Sequence, residues 1–188
     1  MQPMRILVLC WLGWTLPAAA ELPADSLYQL RTELLTQDGT RQPLGMYRGH
    51  PTLISMFYGS CAASCPMLIT SLQVYERQLP AAARTRMRVL LISFDPEHDT
   101  APRLGVLAHE HRTDALRWTL AVAATDEARK IAALLGVQYR PLPDGGYDHS
   151  LLITLLDPDG RRLASTTKLV GDAQFETRLA AAADSAPR

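Results

Sequence analysis

The chain has 188 residues, of which 47% are hydrophobic and 20% are charged. This length and composition suit one packed globular domain with a short additional segment, and they exclude a disordered protein. Lysine plus arginine equals aspartate plus glutamate at 19 each, so the formal net charge is zero. Without a basic excess to neutralise phosphates, we exclude nucleic acid as a partner. Nothing in the composition favours an obligate dimer, and we expect a monomer.

The first residues have the pattern of an export signal. Arg5 provides a positive start, residues 6–16 form an apolar run, and residues 17–20 read Pro-Ala-Ala-Ala. The run is short for a membrane-spanning helix, and the small residues after it suit cleavage before Glu21. We therefore predict a signal peptide at residues 1–20, one domain at residues 21–188, and a soluble periplasmic protein. An uncleaved membrane anchor is the alternative.

The first half of the predicted domain contains two short strands, then a strand, a helix and another strand. Asp38-Gly39 is a turn signal between the short strands. The runs TLISMFY and RVLLISF are apolar and rich in β-forming residues, as is typical of buried strands. Between them, apolar residues recur at helical spacing after Pro66, which suits the first turn of a helix. The predicted strands are residues 28–36, 44–47, 52–58 and 88–94, and the helix is residues 66–79.

The second half continues the alternation of strands and helices. Asp126 is a predicted N-cap, Gly136 follows the end of the same helix, and residues 157–160, Asp-Pro-Asp-Gly, form a turn. The predicted helices are residues 101–111, 126–135 and 172–183, and the strands are residues 118–122, 151–156 and 162–168. This order is typical of an α/β fold, a thioredoxin-like sandwich with a central mixed sheet flanked by helices.

Two cysteines remain once the predicted signal peptide, with Cys10, is removed. Cys61 and Cys65 belong to the run Cys-Ala-Ala-Ser-Cys-Pro, where a predicted strand gives way to a helix. The free N–H groups and partial positive charge of a helix start favour thiolate over thiol. Thiolates bind soft ions such as copper(I) or zinc, and they are also the nucleophiles of thiol–disulfide exchange. A structural disulfide or two inert thiols are the remaining interpretations.

His149 stands at the start of the predicted strand at residues 151–156. In this architecture that strand runs beside the one ending at Tyr58, so the turn before it faces the turn that carries the cysteines. One imidazole and two thiolates form a three-coordinate set that suits both copper oxidation states. A histidine at a strand start is more often a surface residue, so this interpretation depends on the two cysteines.

Three stretches of the chain resemble the Sco/SenC family of copper chaperones. They are residues 57–66, FYGSCAASCP; residues 92–100, ISFDPEHDT; and residues 147–150, YDHS. They occur in the family's order, and the resemblance extends over roughly residues 30–179. It implies that Cys61, Cys65 and His149 bind one copper ion, Cu(I) or Cu(II). It also implies delivery of copper to a cytochrome oxidase subunit, or thiol–disulfide exchange by the two cysteines that prepares that copper site.

The chain departs from the family between the cysteines. Family members usually have proline and an acidic residue there, whereas this chain has Ala62 and Ala63, followed by Ser64. The change leaves the ligands in place but bears on affinity and on partner identity. Generic thioredoxins have a C-x-x-C motif faced by a cis-proline, whereas here the spacing is one residue longer and Asp148-His149 takes the proline position. This difference favours copper binding over general disulfide chemistry.

Other candidate ligands are given structural roles. Asp95, Glu97 and Asp99 could suit a hard metal, but we interpret Asp95 as a strand end and Asp99 or Thr100 as the cap of the next helix, with support of the site as an open alternative. Met56 and Met67 are interpreted as core residues. Tyr58 and Tyr147 are candidates for lining the site, with core packing as the simpler interpretation. Asp148 is a candidate to orient His149, although a backbone carbonyl would serve equally.

Three functions are compatible with this pattern. A copper chaperone requires both cysteines and His149, whereas a periplasmic thiol–disulfide oxidoreductase requires only the cysteines. A binding module on a thioredoxin-like scaffold requires none of them, since a fold does not fix a function. The ordered motifs favour the first, with the oxidoreductase as the alternative and a thiol–disulfide partner as its implied substrate.

Overall fold

The computed structural model describes residues 21–60, 64–143 and 145–185, and the predicted signal peptide at residues 1–20 lies outside this range. The strands found there are β1 (Glu33–Thr36), β2 (Arg41–Pro43), β3 (Thr52–Phe57), β4 (Arg88–Ser93), β5 (Trp118–Val122), β6 (Tyr139–Pro141), β7 (Tyr147–His149), β8 (Ile153–Leu156) and β9 (Arg162–Thr166). The helices found there are α1 (Ser64–Arg77), α2 (Ala81–Arg84), α3 (Ala101–Glu110), α4 (Thr125–Leu135) and α5 (Ala173–Ser185). None of these helices is long and apolar enough to cross a membrane.

Seven strands form one mixed sheet in the order β2-β1-β5-β4-β3-β8-β9. Its centre is parallel, because β4 pairs with β3 on one side and with β5 on the other. The next strands outward are antiparallel, β8 against β3 and β1 against β5. The predicted central mixed sheet is therefore confirmed, and β6 with β7 forms a separate two-stranded sheet.

The sheet separates two apolar clusters. All six residues of β3 are buried, as a strand covered on both faces requires. Leu53 and Phe57 belong to the cluster under α1, α3 and α5, while Ile54 and Met56 belong to the cluster under α4. Because side chains alternate along a strand, one short apolar run supplies both clusters, and the predicted sandwich flanked by helices is confirmed.

Several predicted elements coincide with the structure. The strand predicted at residues 118–122 is β5, and the helix predicted at residues 66–79 is α1, which begins two residues earlier at Ser64. Leu68, Leu72 and Tyr75 of this helix are buried, as their spacing requires. Gly136 ends α4 with a φ of 80°, a left-handed conformation that glycine adopts without steric cost.

The N-terminal strands were predicted with wrong boundaries. Only Glu33–Thr36 of the strand predicted at residues 28–36 is extended, and Leu27–Gln29 forms a 3₁₀ turn. The strand predicted at residues 44–47 is a 3₁₀ turn, Leu44–Tyr47, and the partner of β1 is Arg41–Pro43. A 3₁₀ turn brings residues three apart onto one side, which buries Leu44 and Tyr47 together.

Two further details differ from the sequence interpretation. Asp126 is not the N-cap of α4, because the cap is Ala124 and Asp126 lies in the first turn, where its charge complements the helix dipole. His149 does not begin the strand of the main sheet, because β8 starts at Ile153 and His149 ends β7, opposite Tyr139 of β6.

Candidate metal centre

The cysteine segment leads from β3 into α1. β3 ends at Phe57, the described chain continues to Ser60, and Cys61 with the two alanines after it lies outside the described residues. The backbone of Cys65 lies in the first turn of α1, which begins at Ser64, so the predicted position of the second cysteine at a helix start is confirmed. A helix start favours a thiolate by its free N–H groups and dipole, so the local structure suits the predicted chemistry.

His149 lies at the end of β3 that leads to Cys61. Its ring is 5.6 Å from the ring of Tyr58, edge to face, and Tyr58 is three residues before Cys61. The antiparallel pairing of β8 with β3 explains the approach, since the chain entering β8 is at the end where β3 finishes.

A cluster of aromatic rings holds the imidazole. Phe94 lies 5.3 Å from the His149 ring, 4.6 Å from Tyr139 in a stacked geometry and 5.1 Å from Tyr147. Tyr58 lies 5.5 Å from Phe94 and 5.1 Å from Tyr147. These are the separations at which aromatic pairs attract each other, so β6 and β7 are attached to the main sheet through this cluster.

Sequence reasoning identified part of this aromatic cluster. Tyr58 and Tyr147 were candidates for lining the site, but Phe94 and Tyr139 were missed. The parallel pairing of β3 with β4 was an available signal for Phe94, because it aligns the two strand ends. Nothing in the sequence indicated Tyr139, since the register of β6 against β7 depends on the folded hairpin.

Asp148 and a backbone carbonyl were the two candidates to orient His149. Asp148 forms an ion pair with Arg140, its neighbour across the hairpin, with a 2.9 Å bond from Nε to Oδ2. The His149 Nδ1 atom lies 3.4 Å from the carbonyl oxygen of Ser150. Adjacent residues of a strand point to opposite faces, so the backbone is better placed than Asp148 to fix the imidazole.

The carboxylates after β4 are buried and engaged. Asp95 is 2% exposed and accepts hydrogen bonds from His98 Nδ1 at 2.8 Å and from the Tyr147 hydroxyl at 3.3 Å. The hydrogen bond that His98 donates to Asp95 and the negative charge of Asp95 raise the pKa of His98. Asp95 also contacts the hairpin of His149, which favours the alternative that it supports the site.

Asp99 and Thr100 were the two candidates to cap α3, and the side chain of Asp99 turns towards β3 instead. The N-cap position is Thr100, which makes no side-chain capping bond. The Oδ2 atom of Asp99 accepts hydrogen bonds from the backbone N–H of Gly59 at 2.7 Å and from the Ser93 hydroxyl at 2.5 Å. The cysteine segment is thus attached to the segment that follows β4.

The methionines differ from each other. Met56 is 1% exposed and belongs to the core, as predicted, whereas Met67 is 50% exposed on α1 and does not fill the core.

Among the side chains that the structure describes, no group of three or more His, Cys, Asp or Glu could hold a metal ion. The cysteine side chains lie outside that set, so His149 is the one predicted ligand whose surroundings are described.

The comparisons with known proteins agree on one family. The family model SCO1/SenC matches residues 23–184. A "Putative copper-binding protein" of Stutzerimonas stutzeri is 27% identical over 111 residues, a match that covers 56% of this chain. The chain spans about half of that relative, since the match covers 53% of it.

Two solved structures illustrate the likeness in fold. The structure of Bradyrhizobium japonicum ScoI with copper bound is 24% identical, with a TM-score of 0.66, and the match covers 83% of this chain and 97% of that one. BsSco, described as a member of the Sco family of cytochrome c oxidase assembly proteins with a disulfide switch, is 19% identical, with a TM-score of 0.67. That match covers 81% of this chain and 91% of BsSco.

Proposed function

The chain belongs to the SCO1/SenC family, and from that premise we propose that it is a copper chaperone whose ligands are Cys61, Cys65 and His149. The ion is its cargo, delivered to the copper site of a respiratory oxidase or used to prepare that site. The observation that carries the proposal is the position of His149. Its imidazole lies among aromatic rings at the end of the strand that leads directly to Cys61.

The donor chemistry supports this cargo. Thiolate sulfur is a soft ligand that selects copper(I), and imidazole is a good ligand for copper in either oxidation state. The apolar rings around His149 limit the access of water on one side, and the residue is partly exposed to solvent. An ion bound at such an edge is accessible to the incoming ligands of a recipient protein.

The copper content of purified protein tests the ligand set. The reduced protein of residues 21–188 is loaded with copper, desalted and examined beside His149→Ala and the matched control His109→Ala, which changes an exposed histidine on α3. We expect one copper per chain and a thiolate-to-copper(II) absorption band in the parent and in the control. Retention of the same copper and the same band by His149→Ala would remove His149 from the ligand set.

A thiol–disulfide oxidoreductase is the second candidate function. The position of Cys65 in the first turn of α1 favours it, because thiolates at a helix start are reactive as well as metal-binding. The two functions are separated by His149→Ala, which an oxidoreductase tolerates. Unchanged reduction of a disulfide substrate by that variant, with no copper retained by the parent, would favour the oxidoreductase.

Export is a further part of the proposal. Residues 1–20 are proposed as a cleaved signal peptide, with residues 21–188 acting in the periplasm as one domain and as a monomer. Mass spectrometry of the protein recovered from the periplasmic fraction tests this directly. An N-terminus at Glu21 is expected, and a protein that retains residues 1–20 in the membrane fraction would indicate an anchor instead.

A further inference from the structure

The carboxylate of Asp99 lies beneath the chain that enters Cys61. Asp99 is not among the proposed copper ligands, so their role does not account for its position. We propose that Asp99 is a positioning residue that holds this chain and thereby sets both the copper affinity of the cysteine segment and the stability of a Cys61–Cys65 disulfide. The copper part of this inference rests on the proposed function, whereas the disulfide part does not.

The contacts of Asp99 join the ends of two neighbouring strands. The residue is 0% exposed, and its Oδ2 atom accepts bonds from the Gly59 N–H at 2.7 Å and from the Ser93 hydroxyl at 2.5 Å. Ser93 ends β4 and pairs with Phe57, the last residue of β3. A hydrogen bond from a backbone N–H to a carboxylate is charge-assisted and therefore stronger than a neutral one. Gly59 is held two residues before Cys61.

The other oxygen of the same carboxylate is costly to bury. Among the described residues, Asp99 Oδ1 has no hydrogen-bond partner. The Nε atom of Arg103 forms a longer ion pair with it, at 3.8 Å. A buried polar atom without a partner is rare in folded proteins, since its lost hydration is not replaced. Burial of this oxygen against Gly59 therefore lowers the stability of the fold. Under our proposal, the protein keeps the carboxylate there because it fixes the cysteine segment.

The carboxylate of Asp99 leaves no room for a side chain at Gly59. A Cβ atom added at this position would lie 2.4 Å from Asp99 Oδ1 and 3.2 Å from Asp99 Cγ. The backbone conformation of Gly59 is not left-handed, so an alanine there meets no strain from φ. The carboxylate is therefore the obstacle to a side chain at position 59, and the two residues form a tight contact.

Arg103 extends the same support to the next residue. Its Nη2 atom donates to the Ser60 hydroxyl at 3.2 Å, while its Nε atom faces Asp99. Gly59 is thus held by Asp99, just before α3, and Ser60 by Arg103 in the first turn of α3. Groups that orient the ligands of a metal change its affinity by about 10- to 100-fold when they are removed.

The experiment compares Asp99→Ala, Gly59→Ala, the double variant, and Glu76→Gln. Glu76 is another buried carboxylate with an arginine partner, near the opposite end of α1, so its variant controls for lost stability. Copper(I) affinity is measured by competition with a chelator of known affinity. The disulfide equilibrium constant is measured against dithiothreitol in the metal-free proteins.

We expect Asp99→Ala and Gly59→Ala each to lower copper affinity by about 10- to 100-fold and to shift the disulfide equilibrium by about tenfold or more. The double variant is expected to be no worse than Asp99→Ala, because removing the carboxylate makes room for the methyl group. Asp99→Asn keeps an oxygen for the Gly59 N–H and is expected to lie closer to the parent, which separates positioning from misfolding.

Two results would overturn the inference. One is an Asp99→Ala protein that matches Glu76→Gln in both readouts, and the other is strictly additive effects in the double variant. A parent that binds no copper would refute the proposed function instead. The disulfide equilibrium of the same proteins would still decide the role of Asp99.

Discussion

Replacing Phe94 with leucine is expected to loosen the hairpin that carries His149 while the seven-stranded sheet stays folded. Phe94 is 3% exposed and contacts the rings of Tyr58, Tyr139, Tyr147 and His149. The two-stranded sheet is not hydrogen-bonded into the main sheet, and an isolated hairpin is marginal in water. Its attachment therefore depends on these ring contacts.

The expected loss of stability of the attached hairpin follows from the number of ring contacts that Phe94 forms with it. Leucine fills most of the volume but removes the three ring pairs that Phe94 forms with the hairpin, those with Tyr139, Tyr147 and His149. Each pair contributes about 0.5–1.5 kcal/mol beyond burial. At the low end of that range the loss is about 1.5 kcal/mol, which corresponds to a roughly tenfold increase in the population of the open hairpin.

Amide hydrogen exchange measures this opening directly. The N–H of Leu142 bonds the Gly146 carbonyl, and the N–H of Ser150 bonds the Gln138 carbonyl, so both report on the hairpin. Exchange at these amides should accelerate about tenfold in Phe94→Leu, with amides of β3 and β4 affected only by global stability.

Phe175→Leu is the matched control for Phe94→Leu. Phe175 is 2% exposed and contacts the ring of Tyr75 in the cluster on the other face of the sheet. This variant should destabilise the protein without a selective effect on the hairpin amides. Hairpin exchange that is unchanged in Phe94→Leu, or equally accelerated in Phe175→Leu, would refute the attachment through Phe94.

Three further predictions follow from other contacts. Because Asp95 raises the pKa of His98, the contact between them should stabilise the protein fully below the unfolded pKa of about 6.5, and this stabilisation should disappear as the pH rises through the folded pKa. Denaturation of the parent and of His98→Ala at several pH values measures this contribution. Identical pH profiles of the two proteins would contradict it. The Glu76 carboxylate pairs with Arg117 and accepts a 2.7 Å hydrogen bond from Trp118 Nε1. Glu76→Gln removes its charge, so urea denaturation should show a free energy of unfolding that is lower by about 1.5–3 kcal/mol. An unchanged midpoint would rule out that contribution. Gly160→Ala should lower the melting temperature more than Gly39→Ala, because both glycines have φ near 80° but only at Gly160 would a Cβ meet Tyr28 Cδ2, at 2.6 Å; equal shifts would mean that crowding is unimportant there.

The central sheet and its helices were predictable because their signals are local. β3, β4 and β5 are short apolar runs between turn residues, and α1 combines helical spacing with a proline in its first turn. These elements are also the most buried, so tertiary packing and local preference agree.

The missed elements are those whose conformation depends on distant contacts. Leu44–Tyr47 satisfies both a short strand and a 3₁₀ turn by composition, and burial of two residues three apart selects the turn. The strands β6 and β7 are three residues each and only partly buried, so neither shows an apolar alternation. Their position is set by rings contributed from β3 and β4.

The candidate site was predicted in outline but not in its supports. His149 was correctly expected near the end of β3, but it lies in a hairpin strand and not in the turn before β8, and its contact with Phe94 was not foreseen. The bond from Gly59 to Asp99 joins residues 40 apart in the chain. It depends on the parallel register of β3 and β4, which the sequence alone does not specify.

X-ray absorption at the copper edge tests the central claim most directly. It is recorded on the copper(I)-loaded protein of residues 21–188 and on His149→Ala. The account predicts a first shell of two sulfur atoms and one imidazole nitrogen in the parent, with the imidazole signal lost in the variant. A shell without sulfur, or one that is identical in the two proteins, would contradict it.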